Sequence, residues 1–164
     1  MAKSQILIVD DSKEILAHLA QELKVEPYTV LLARNGPEAL EIVTAQQVKV
    51  IISAVKMSGM DGFALLDQVK QLCPQMIRVI LSGHPDVELI LRMVNERGVD
   101  RYLTKPWHGE GLKAIIQQCL ELFDLRAEVK ELRTLLQGKA LRQETSPWVL
   151  SQRVQTTGRQ LRPR

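Results

Sequence analysis

The chain has 164 residues, 45% of them hydrophobic and 25% charged, enough apolar material for one packed domain plus an appendage, and this excludes wholesale disorder. No apolar run approaches the ~20 residues of a membrane span, no secretory leader opens the chain, and Cys73 and Cys119 have no ligand spacing, so a reducing, cytoplasmic setting is expected. The net charge of +3 belongs to the tail: residues 145–164 hold four arginines and no acid, which leaves −1 for the remainder.

Short apolar runs alternate with amphipathic segments from residue 5 to about residue 123. Strands are predicted at Gln5–Val9, Thr29–Leu32, Val48–Ser53, Ile77–Leu81 and Arg101–Leu103. Several of these are almost wholly apolar and β-branched, as suits strands covered on both faces. Helices are predicted around 12–24, 36–46, 61–71 and 86–96, with a longer one from Gly109. Five strand–helix repeats specify a parallel sheet between helical layers. The punctuation agrees. Asp11 and Glu14 resemble a capping box, Asn35-Gly36-Pro37 opens the second helix, and Gly98 closes the fourth.

The last helix carries a second pattern. Leu122, Leu125, Val129, Leu132 and Leu136 follow the 3-4 spacing of a coiled-coil seam. With Leu122 at position a, Glu121 and Glu128 at g precede Arg126 and Arg133 at e by five residues, the pairing of a parallel homodimer. The alternative is that this stripe packs on the domain or on a further one. The division expected is therefore a domain at 1–123, a coiled-coil extension at 124–143 and a basic flexible tail or linker at 144–164. That tail has Trp148 as its only aromatic and no helix-turn-helix pattern, so it gives nucleic-acid binding little support.

Ligands of open parallel sheets bind beyond the carboxyl ends of the strands. Those ends carry Asp10-Asp11, Ser53-Ala54, Ser82-Gly83 and Thr104-Lys105-Pro106. Two acids, a hydroxyl and a lysine suit Mg²⁺ and a phosphoryl group. Each residue alone has a plainer role: Asp11 as a helix cap, Ser82 as a turn residue, Lys105 as a solvated strand end, Asp61-Gly62 as a turn and cap. His84 lies close to the strand ends and suits either the rim or the surface, His18 and His108 belong to no motif, Trp107 suits an anchor for the last helix, and Met57 and Met60 suit packing. There is no nucleotide-binding glycine loop, no metal-binding Cys/His cluster and no catalytic triad. The chain is not expected to be an enzyme.

The runs Ile6-Leu7-Ile8-Val9-Asp10-Asp11, Val55-Lys56-Met57-Ser58-Gly59-Met60-Asp61-Gly62, Leu81-Ser82-Gly83 and Leu103-Thr104-Lys105-Pro106 resemble, in order and spacing, the receiver domain of bacterial two-component response regulators over residues 5–123. The resemblance implies a flavodoxin-like (βα)5 doubly wound sheet with strand order 2-1-3-4-5, and a histidine kinase as phosphoryl donor. It also implies that Asp10, Asp11 and the backbone carbonyl of Lys56 hold Mg²⁺, that Ser82 and Lys105 grip the phosphoryl group, that Tyr102 turns inward on activation, and that the peptide before Pro106 is cis. The Lys105-Pro106-Trp107 run is similar to that of receivers fused to output domains, and a missing C-terminal output domain is one expectation.

Two residues depart from the family. Ser58 replaces a proline, which loosens a loop. Ala54 stands where the family has its phosphorylated aspartate, and a methyl group offers no nucleophilic oxygen. Its loss also takes one of three carboxylates from the metal site, so Mg²⁺ binding should weaken. Ser53 should point to the opposite face of its strand and not substitute. The replacement is either a deliberate substitution or a natural degenerate receiver; a phosphorylation-independent dimeric scaffold is the alternative function.

Overall fold

The computed structural model describes residues 3–83, 88, 91–92, 95, 98–104 and 109–144, with the backbone alone at 141–144. His84, Lys105, Pro106, Trp107, His108 and the tail from residue 145 lie outside the described residues, as do the expectations that fall on them. The elements are β1 (Gln5–Val9), α1 (Lys13–Glu22), β2 (Thr29–Ala33), α2 (Gly36–Ala45), β3 (Val50–Ala54), α3 (Gly62–Leu72), β4 (Ile77–Ser82), β5 (Arg101–Thr104) and α4 (Gly109–Glu144). Between β4 and β5, Glu88, Leu91, Arg92 and Asn95 are helical.

The five strands form one parallel sheet in the order β2-β1-β3-β4-β5. Burial follows position in that order. Every residue of the central β3 and β4 is buried, while the edge strands β2 and β5 are mostly exposed or half-buried. The two faces build separate clusters. Ile6, Ile8, Val50, Ile52 and Val79 pack with Leu16 and Leu19 of α1 and with Leu112, Ile116 and Cys119 of α4. Leu7, Val9, Ile51 and Ile80 pack with Val43 of α2 and with Phe63, Leu66 and Val69 of α3. Strand alternation sends neighbouring residues to opposite layers.

Local chemistry sets the helix starts. The cap of α1 is Ser12, whose hydroxyl accepts from the Ile15 N–H at 3.3 Å; Asp11, expected in that role, is left exposed. Asn35 caps α2 through the Glu38 N–H at 2.8 Å, with proline in the first turn. Asp61 caps α3 by accepting from the Ala64 N–H at 2.8 Å. β3 begins two residues later than its apolar run suggests and extends to Ala54, which pairs with Leu81.

The buried β4 contains one charge that its apolar pattern hid. Arg78 is 4% exposed. Its guanidinium donates to the carbonyls of Gly98 at 2.6 Å, Met76 at 2.9 Å and Pro74 at 3.3 Å, and lies 3.5 Å from the Asp100 carboxylate. Such complete pairing is what makes a buried cation tolerable.

Contacts divide the chain into two compact units, Met1–Asp124 and Leu125–Arg164. α4 is continuous across this boundary, 36 residues or about 54 Å long. Leu122 is spent in the first unit, where it is half-buried against the core of the α1 face. In the second unit Leu125, Val129, Leu132, Leu135 and Leu136 are all exposed. No helix among the described residues is long and apolar enough to cross a membrane.

Candidate functional site

Sheet order places β1 between β2 and β3, so the chain leaves the sheet in opposite directions from β1 and β3. The crevice this opens at their carboxyl ends is the binding position of doubly wound folds. A cleft of about 710 Å³ lies there, and Asp10, Asp11, Ala54, Lys56, Asp61 and Ser82 are among the residues that line it.

Register explains the convergence. Val9 pairs with Ser53, Ala54 with Leu81 and Ser82 with Thr104, so β1, β3, β4 and β5 end at one rim. Asp10 follows directly. Its backbone N–H donates to the Ala33 carbonyl at 3.2 Å, its side chain is 3% exposed, and its Oδ1 accepts from the Ser12 N–H at 2.9 Å. Asp11 is exposed at the cleft mouth. Ser82 is buried at the end of β4.

Ala54 is 5% exposed and lines the cleft. Ser53 does not line it. That side chain is fully buried, and its hydroxyl donates to the Ala54 carbonyl at 2.9 Å. The turn after β3 is closed by the Gly62 N–H donating to the Val55 carbonyl at 2.8 Å. Gly59 takes the left-handed conformation at φ 82°. A Cβ at Gly62 would run into the Ala54 carbonyl, so no larger residue fits there without movement.

One wall was not foreseen. Glu88 and Arg92, from the helical segment after β4, also line the cleft. Arg92 lies 3.5 Å from Asp61 and 4.3 Å from the centre of the Phe63 ring, bridging that segment to the start of α3. No motif marks Arg92; only packing brings it there. Tyr102 stands apart from the lining residues. It packs against the α2–α3 core, and its hydroxyl is buried without a hydrogen-bond partner among the described residues.

Asp10, Asp11 and main-chain carbonyls are hard oxygen donors of the kind Mg²⁺ takes. Ala54 supplies none, and among the described residues no three acidic, histidine or cysteine side chains converge on one point. The donor set fits the ion only in part.

Residues 6–117 match the response regulator receiver domain family. The chain belongs to that family. As a receiver, it is similar to the hydrogenase transcriptional regulatory protein HoxA of Cupriavidus necator, 31% identical over 88% of this chain and 30% of that protein. It is also similar to the nitrogen assimilation regulatory protein NtrX of Azorhizobium caulinodans, 34% identical over 80% of this chain and 29% of that protein. The chain thus spans less than a third of the length of these relatives. Among solved structures, the receiver domain of an HD domain-containing protein from Pseudomonas fluorescens Pf-5 shares 37% identity at a TM-score of 0.73, over 78% of this chain and 94% of that one. A CheY-like receiver from Methanospirillum hungatei shares 28% identity at a TM-score of 0.71, over 76% of this chain and 99% of that one. The flavodoxin-like fold and the strand order expected from the sequence are those observed.

Proposed function

We propose that this receiver of a two-component response regulator is held in its unphosphorylated state, because the position that would accept the phosphoryl group is a methyl. Its environment is otherwise furnished. Asp10, Asp11 and the Lys56 carbonyl would hold Mg²⁺ weakly, while Ser82, with Lys105 and Tyr102, would serve phosphoryl binding and switching. The receiver itself is not an enzyme. With an aspartate at 54, the donor would be a histidine kinase, and the receiver would serve an output domain in a longer chain or act through protein contacts. The carrying observation is Ala54 lining the same cleft as Asp10, Asp11 and Ser82. Ala54→Asp, treated with acetyl phosphate and Mg²⁺, should gain the mass of one phosphoryl group while the unaltered chain gains none. An unmodified Ala54→Asp protein would end this reading.

A second reading is favoured by the five exposed aliphatic residues of α4. Here the chain is a dimeric interaction scaffold to which phosphorylation is irrelevant. Sedimentation of 1–164 against 1–123 separates the two proteins by self-association, and equal, monomeric behaviour would remove the scaffold.

A further inference from the structure

The cleft at the strand ends carries charges of both signs, and they do not balance. Among the described lining residues, the carboxylates of Asp10, Asp11, Asp61 and Glu88 face two cations, Lys56 and Arg92. A crevice with low-dielectric walls and an excess of one sign focuses its field and repels ligands of that sign. A phosphoryl group is anionic, so its entry depends on where the cations stand.

Arg92 stands in a fixed place. Its guanidinium lies 3.5 Å from Asp61 and 4.3 Å from the centre of the Phe63 ring, held by a carboxylate and a ring together. Both holders are themselves anchored. Phe63 is 2% exposed in the α3 core, and Asp61 Oδ1 caps α3 by accepting from the Ala64 N–H at 2.8 Å. The hold does not bury the charge: the Arg92 and Asp61 side chains are each 40% exposed, so the cation still meets what arrives. It also answers the charge of Asp61, which would otherwise add to that of Asp10 and Asp11.

We infer that Arg92 is a specificity-determining residue of this cleft: it selects the charge of what enters, drawing an anionic, phosphoryl-bearing ligand past the acidic rim. This deepens the receiver reading given above and rests on it for the identity of the anion. Arg92 acts through its field, and its clasp on Asp61 and Phe63 keeps that field in the same place for every ligand.

The test puts a thiol in the cleft with Ala54→Cys in the full chain and times its modification by three methanethiosulfonates. The sulfonatoethyl reagent is anionic, the methyl reagent neutral and the trimethylammonium-ethyl reagent cationic. Each hands its alkylthio group to the thiolate, forming a disulfide and releasing methanesulfinate, and mass spectrometry reads the peptide that contains position 54. Cys73, half-buried at the carboxyl end of α3 and absent from the cleft lining, is the reference within the same chain. Adding Arg92→Gln should lower the ratio of anionic to cationic rates at position 54 roughly fivefold at low salt. The ratio at Cys73 should not move. Altered thiol ionisation cancels in this ratio, and a loosened wall speeds all three reagents alike. Arg92→Lys keeps the charge and should hold the ratio within about twofold of the start. Added salt should shrink the effect of Arg92→Gln. A ratio that Arg92→Gln leaves unchanged, an equal shift at Cys73, or a thiol that no reagent reaches would overturn the inference. Acetyl phosphate treatment of the Ala54→Asp protein judges the receiver site separately. Phosphorylation there with an unchanged ratio here removes only the role of Arg92; the reverse result removes only the phosphoryl identity of the anion.

Discussion

Arg78 and Asp100 meet at the amino-terminal side of β4 and β5, tied both by side chains 3.5 Å apart and by backbone. The Arg78 N–H donates to Asp100 Oδ2 at 2.9 Å, and the Asp100 N–H donates to the Arg78 carbonyl at 2.8 Å. Arg78→Ala would take the cation from beside the half-buried Asp100 carboxylate and the donor from three carbonyls. It should cost about 3–5 kcal/mol in urea unfolding. A loss below about 1 kcal/mol would show that water replaces the guanidinium.

Tyr28 has a buried hydroxyl with no hydrogen-bond partner among the described residues, and burial, aided by the charge of Glu26, raises its pKa to about 12. Below pH 10 the phenol is protonated whether the chain is folded or not, so it adds no pH dependence. Between pH 10 and about 12 the unfolded chain ionises first, and stability falls. Tyr28→Phe should remove this part of the alkaline decline and be neutral or slightly stabilising at pH 7. Parallel alkaline melting curves of the two proteins would contradict it.

Asp61 uses one carboxylate oxygen to cap α3 and the other to face Arg92. Asp61→Ala should cost about 1 kcal/mol through the cap. The half-exposed pair with Arg92 should add less than about 1 kcal/mol, read as the coupling in a double-mutant cycle with Arg92→Ala. A coupling above about 2 kcal/mol would make the bridge a principal support of the cleft wall.

Mg²⁺ binding should be weak in the chain as it stands, because Ala54 contributes no donor. Ala54→Asp should tighten it severalfold in a calorimetric or fluorescence titration. Equal affinity in both proteins would place the ion elsewhere.

The sheet was legible in the sequence because strands buried on both faces are mainly apolar, and β1, β3 and β4 are, with Arg78 the charged exception. The rim was legible because strand ends are fixed by register, which carries Asp10, Ala54 and Ser82 to one edge without any need to know the packing of helices. What escaped the sequence depends on that packing. Ser12 displaced Asp11 as the cap of α1 since both are good cap residues one position apart. Nothing in the sequence singles out Arg78, since its partners lie at Gly98 and Asp100, some twenty residues on. Arg92 reached the cleft through a helical segment whose face no local pattern specifies. The seam expected from Leu122 onward starts at a residue that also packs, half-buried, against the domain core.

The close approach of Gly62 to the Ala54 carbonyl leaves no slack between the last residue of β3 and the first of α3. Any side chain at position 62 would have to part the strand end from the helix start. The missing side chain of Gly62 is thus what lets β3 run to Ala54, at the wall of the cleft, and α3 begin eight residues on without either giving way.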